Sequence, residues 1–173
     1  MSDLEKCYLC LDTGTTQTGY AIICEDYSIV TVGKIENNAI LAIIHQQLSR
    51  RSDEVVFEKF APQQSMGKTT LDAIVWYGKF IRQCEIDGLP YHEIYRRDVK
   101  KHLLGKFSKA NGSADTQIRR ALIARFAKYD LKNGKGTKDN PDWFYGFSGS
   151  DMYAAYAVGV TYLDLLRGGG NNG

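Results

Sequence analysis

The opening of the chain constrains the fold more than any other stretch. Residues 8–11 form an apolar run that stops at Asp12, followed by the turn-forming Thr13-Gly14-Thr15-Thr16-Gln17-Thr18-Gly19. A second β-like run, 20–24, leads through the acidic turn Glu25-Asp26 to a third at 28–32. Strand, turn, strand, turn, strand predicts a three-stranded antiparallel meander.

After the meander the pattern changes. Asn37 or Asn38 can cap a helix whose apolar residues Ile40, Leu41, Ile44 and Leu48 recur at helical spacing. Residues 54–60 read as a buried fourth strand. A helix over about 69–86 follows, with Leu71, Ile74, Val75, Phe80 and Ile81 available for its buried face and Gly88 as its stop. A fifth strand spans 91–95, and a short helix spans 97–105. Ser113 caps a helix to about 128 that turns Ile118, Leu122, Ile123 and Phe126 inward, and a last helix covers 151–166. Residues 133–142 form a loop closed by Pro141, and 168–173 a glycine-rich flexible tail. A meander followed by strands alternating with helices predicts an α/β fold: a mixed five-stranded sheet, the meander plus two parallel strands, flanked by helices. At 173 residues the chain suits one domain, over 1–167.

No run approaches the ~18 apolar residues of a membrane helix, and the polar, acidic start does not read as a signal peptide. Cys7, Cys10, Cys24 and Cys84 lie in apolar stretches. The Cys7-x-x-Cys10 pair has no second pair or His at ligand spacing, so the reading is buried thiols and a reducing, cytoplasmic compartment. The net charge of +2 conceals a segregation: residues 96–138 hold 13 Lys or Arg against three acids, while the rest of the chain is acidic. Either a polyanion or solvent must relieve such a segment, which makes it a candidate phosphate-binding face.

Three carboxylates carry the chemistry. Asp12 ends the first strand, Glu58 lies inside the apolar fourth strand, and Asp151 opens the last helix. If strands one and four are neighbours, Asp12 and Glu58 share an edge, and a helix crossing that edge by its N-terminus adds Asp151. Such mutually repelling acids are tenable when divalent cations neutralise them. Each has a bland alternative: an Asx turn for Asp12, a paired buried acid for Glu58, a helix-dipole acid for Asp151. Asp115 in a helix first turn and Glu93 on a strand's solvent face fall outside the set.

At these residues the chain resembles the RuvC family of Holliday junction resolvases, within the RNase H-like nucleases. The resemblance lies in Leu9-Cys10-Leu11-Asp12-Thr13-Gly14 through Thr18-Gly19-Tyr20-Ala21, in Val56-Phe57-Glu58, and in Arg97-Asp98-Val99-Lys100. It continues in Gly112-Ser113-Ala114-Asp115 and Asp151-Met152-Tyr153-Ala154-Ala155-Tyr156-Ala157. It implies an RNase H-like fold, a homodimer, branched DNA as partner, and a bacterial or phage-infected host. It also implies Mg²⁺, two ions per site with Mn²⁺ able to substitute, held by the catalytic set Asp12, Glu58 and Asp151. Two such ions, about 3.5–4 Å apart, clamp in-line phosphodiester attack. One departure stands out: Ala154 occupies a place where the family usually has a second helix acid. A junction-binding protein with weakened cleavage is therefore the alternative.

By the same resemblance, the loop 61–68 and the basic segment hold the DNA backbone through Gln63, Lys68, Arg96, Arg97, Lys100, Lys101, Lys106, Lys109 and Arg119. Phe60 is either a wedge at the branch point or a core residue. The apolar surplus at Ile74, Trp76 and Tyr77 marks the dimer surface. Two nucleotide-binding patterns are set aside. Asp12-Thr13-Gly14-Thr15-Thr16 is similar to the first phosphate hairpin of the sugar kinase, actin and Hsp70 superfamily, whose members need two domains and a longer chain. Gly67-Lys68-Thr69 is similar to a P-loop, but Pro62 stands where the first glycine belongs. No nucleotide cofactor and no membrane are expected.

Overall fold

The computed structural model describes residues 6–50, 52–61, 65–129 and 133–169, with the side chains of 47–50, 52, 53 and 169 excepted. Five strands form one sheet: β1 (Cys7–Asp12), β2 (Gln17–Cys24), β3 (Ile29–Glu36), β4 (Ser52–Lys59) and β5 (Tyr91–Tyr95). Their order is β3-β2-β1-β4-β5, with β3, β2 and β1 antiparallel and β4 and β5 parallel to β1. This is the mixed sheet expected from the sequence, with strands one and four adjacent. β3 runs four residues past the expected apolar stretch, because Gly33, Lys34, Ile35 and Glu36 complete its ladder with β2.

Helices cover both faces. α1 (Asn37–Arg50) and α2 (Lys68–Asp87) pack on one side, where Leu9, Leu11, Val55 and Phe57 meet Ile40, Ile44, Tyr77 and Phe80. α3 (Arg96–Leu104), α4 (Ala114–Phe126) and α5 (Ser150–Gly169) cover the other, where Tyr8, Cys10, Ala21, Ile23 and Val56 meet a nearly continuous apolar stretch of α5. Ser113 caps α4 by accepting from the Thr116 N–H at 3.2 Å, and Gly88 stops α2 in the left-handed conformation that glycine adopts without strain. α5 continues through Gly168 and Gly169, into the expected tail, whose residues 170–173 lie outside the described residues. Among the described residues no helix is long and apolar enough to cross a membrane.

Two expectations are corrected. On α2 the buried face is Ala73, Tyr77, Phe80 and Cys84, while Leu71 and Val75 are 50% and 57% exposed. Apolar residues ring this helix, so periodicity allowed two solutions, and the sheet takes the face with the small Ala73 and Cys84. Tyr77 thus belongs to its own core, and Phe60 packs on it with ring centroids 5.5 Å apart, in the core role rather than as a wedge. The second correction concerns the cysteines. Cys10 and Cys84 are buried thiols, but Cys7 and Cys24 face each other across β1 and β2 and form a disulfide. Antiparallel pairing brings opposite Cβ atoms together irrespective of sequence spacing. Cysteine usage therefore does not argue for a reducing compartment.

At the far end of α5, Asp164 ties three elements together. It accepts hydrogen bonds from Tyr27 at 2.5 Å and Arg125 at 2.6 and 2.8 Å, and pairs with His102 at 2.7 Å. Burial alone would raise its pKa, but the bonds from Arg125, Tyr27 and His102 more than reverse this and hold it well below the usual aspartate range. A depressed folded-state value contributes stability above the unfolded pKa, and that contribution is lost as pH falls through the folded value. Asp164→Asn is expected to lower unfolding free energy by about 2 kcal/mol at pH 7. The difference from wild type should shrink in acid, as urea melts at several pH values would measure.

Candidate active site

Successive strand residues point to opposite faces of a sheet. Tyr8 and Cys10 on β1 and Val56 on β4 belong to the core under α5, so Asp12 and Glu58, two residues further along, face the same way. The parallel register sets Leu11 beside Phe57, which brings Asp12 and Glu58 side by side at the C-terminal ends of adjacent strands. In open α/β sheets this is the edge at which ligands bind. The row extends in both directions. Asp12 pairs with Gly19, and Gly19 with Lys34; on the other side Glu58 pairs with Ile94, two residues before Arg96.

The N-terminus of α5 closes on this row at Gly19. A Cβ there would lie 2.5 Å from the Asp151 carbonyl oxygen and 2.8 Å from its Cβ, so only glycine admits the helix so close. Asp151 thereby joins the row, and Lys34 Nζ sits 2.6 Å from its Oδ2. The three expected carboxylates come together, with a cation at each end.

At the Arg96 end, Nη1 donates to both Glu58 oxygens at 3.1 and 3.0 Å, and Nη2 bonds to Asp115. Arg96, expected among the DNA-holding residues, thus turns toward two carboxylates, Glu58 and Asp115. Asp115, set aside on sequence grounds, belongs to the edge of the site. Its 19-residue separation from Arg96 is bridged only by the packing of α3 on α4, which no local pattern announces. Lys34 was also missed, and the signal for it is its register opposite Gly19, legible once the length of β3 is known.

The electrostatics separate the acids. Burial raises Asp12 to about 7, and the neighbouring Glu58 and Asp151 add to the effect against Arg96 and Lys34. Burial also raises Glu58, opposed by the charge and hydrogen bonds of Arg96. The bond to Asp151 raises Lys34. The Asp12 carboxylate makes no hydrogen bond or salt bridge with a described side chain. It lines a cleft with Thr13, Thr15, Gln17, Lys34 and Asp151. An all-oxygen donor set around a buried carboxylate with no direct side-chain partner fits a hard divalent cation. Among the described residues no three ligating side chains form a ready cage; Asp151 is drawn to Lys34 and Glu58 to Arg96.

No protein-family model matches the chain, and no curated protein matches it in sequence. Solved structures do match. A RuvC from T. thermophilus in complex with Holliday junction substrate aligns over 95% of this chain and 96% of its own, at 14% identity and a TM-score of 0.59. A Thermus thermophilus RuvC structure aligns over 94% and 96%, with the same identity and score. The fold is that of RuvC.

On this RuvC fold the basic residues fall into distinct surroundings. Arg97 is exposed, with its guanidinium 4.8 Å from the centre of the Tyr95 ring, and Lys100 lies 4.7 Å from that of Phe107. Lys101, Lys106 and Lys109 are exposed, and Lys68 is exposed at the start of α2 with a 2.7 Å pair to Asp72. Arg119 is half-buried, its Nε without a partner among the described residues. Gln63 lies outside the described residues. Ala154, one turn into α5, lines a small cavity with Glu58, Arg96, Asp115 and Ser150.

Proposed function

We propose that the chain is a structure-selective endonuclease that resolves four-way or other branched DNA junctions by metal-dependent phosphodiester hydrolysis. The observation that carries this reading is the row of Asp12, Glu58 and Asp151 on one sheet edge, in the fold of a RuvC whose structure holds a Holliday junction substrate. A bound Mg²⁺ or Mn²⁺ would neutralise these acids and supply Lewis acidity at the phosphate. Asp12 and Asp151 would hold it. Arg97, Lys100, Lys101, Lys106, Lys109, Arg119, Lys68 and Gln63 would steady the DNA backbone without reading its bases.

Two cuts across a junction need two sites, so the reading includes a homodimer. Leu71, Val75 and Ile86 lie on one side of α2 at 50%, 57% and 63% exposure, an apolar stripe that a single core leaves uncovered. Val75→Glu is expected to shift the protein to monomer in sedimentation at micromolar concentration, with its circular dichroism unchanged.

The test of the main reading is a labelled synthetic four-way junction and a matched duplex, each with Mg²⁺ and with chelator. Paired nicks near the branch that need metal support it. Tight junction binding without nicks would favour a non-cleaving binding protein, a second reading that rests on Ala154 and on the engagement of Glu58 by Arg96. Equal affinity for duplex and junction would sink both.

A further inference from the structure

We infer that the guanidinium of Arg96 takes the place of a second metal ion, so that each chain works with a single divalent cation. The inference rests on the nuclease reading and concerns how its site is charged.

The row divides at Asp12. On the Lys34 side, Asp12 and Asp151 both line one cleft. The cation there is a partly exposed lysine that touches only one oxygen of Asp151. Displacing an ammonium from one exposed contact costs little, so this half is open to a metal.

The other half is already filled. Arg96 engages both oxygens of Glu58 through Nη1 and reaches Asp115 through Nη2, so its two terminal nitrogens bridge two carboxylates. Val99, Ile118, Tyr153 and Ala157 wall this half with apolar surface, which strengthens the ion pairs and excludes competing water. The helix position that faces it is Ala154, whose methyl group can ligate nothing. A metal entering here would have to expel a guanidinium held by three hydrogen bonds and would find no helix ligand. A guanidinium is charged at any working pH, so it can stabilise negative charge developing on a phosphate without being loaded from solution. The missing helix acid and the inward arginine are then two sides of one arrangement: the acid that would hold a second ion is absent where an organic cation occupies its place.

The test is a Mn²⁺ titration of the full-length protein, followed by the electron paramagnetic resonance signal of free Mn²⁺, with and without junction DNA. Wild type is expected to take up a single Mn²⁺ per chain. The Ala154→Asp/Arg96→Met double variant, which frees Glu58 and Asp115 and restores the helix acid, is expected to take up a second. Arg96→Lys should keep the single ion yet lose cleavage by roughly 10²–10³-fold, the usual cost of removing a preorganised charge contact. Uptake of two ions by wild type would overturn the inference and leave the nuclease reading intact. A double variant that still binds a single ion would also overturn it, since Arg96 would then not be what bars the second. Absence of any Mn²⁺ uptake would sink the metal-dependent nuclease reading itself, and the inference with it.

Discussion

Asp12→Asn is expected to abolish metal-dependent junction cleavage, by roughly 10³-fold or more, while making the metal-free protein more stable at neutral pH. Both effects come from one placement. Asp12 lies where burial, Glu58 and Asp151 all oppose its charge, and its pKa is raised to about 7. The folded state therefore binds more protons than the unfolded state between the ordinary aspartate value and about 7. Stability contributed by the neutral form is present below that window and declines as pH rises through it. Asparagine keeps the shape and removes the charge, so the variant should gain on the order of 2 kcal/mol at pH 7.5 without metal. Saturating Mg²⁺ should stabilise the wild type selectively and narrow the gap. Metal affinity of the wild type should itself rise with pH up to about 7, because a ligand must lose its proton to bind. Thermal melts with and without metal, run from pH 5.5 to 8, measure all of this. A variant less stable than wild type at pH 7.5 would show that Asp12 is compensated, and the site as described would be wrong.

Gly19→Ala is expected to disable the proposed cleavage from a position that bears no chemistry. The added Cβ would fall 2.5 Å from the Asp151 carbonyl oxygen and 2.7 Å from its carbonyl carbon. Both are backbone atoms, so no rotamer change relieves the clash and the start of α5 must move. Displacement of a reacting group by about an ångström costs ~10²-fold in rate, and overpacking of this kind costs about 1–3 kcal/mol in stability. Cleavage assays with chemical denaturation separate the two effects. If the variant cleaves at the wild-type rate, Asp151 is not held by this approach.

Much of this was legible in the sequence because it depends on local periodicity. Short apolar runs at 8–11 and 55–57 marked two buried strands, and the acids Asp12 and Glu58 end those runs at corresponding places. Asp151 was legible as a helix opener, and its nearness to the others needed only that the last helix cross the sheet. What escaped has a common cause, since each missed feature is set by which elements become neighbours. Arg96 reads as one more base in a basic segment; the pairing of β4 with β5 gives it Glu58, and the packing of α3 against α4 gives it Asp115. The disulfide of Cys7 and Cys24 depends on cross-strand register. On α2, Leu71 and Val75 are as apolar as Ile74 and Phe80, and no count of spacing distinguishes the side that meets the sheet from the side that meets solvent.

The position of α5 in the chain also sets a timetable. Its far end is joined to the meander by a bond between residues 137 apart, Tyr27 and Asp164, and its near end brings Asp151 to strands completed long before. While the chain is being synthesised, the sheet face carrying Tyr8, Cys10, Ile23 and Val56 has no cover until this helix leaves the ribosome. A nascent chain is thus sticky and lacks a complete site, and the two conditions end together. Contacts so distant in sequence also make folding slow, which lengthens the interval in which chaperones can act. The order of synthesis would thereby keep the carboxylate row from assembling before the sheet is covered.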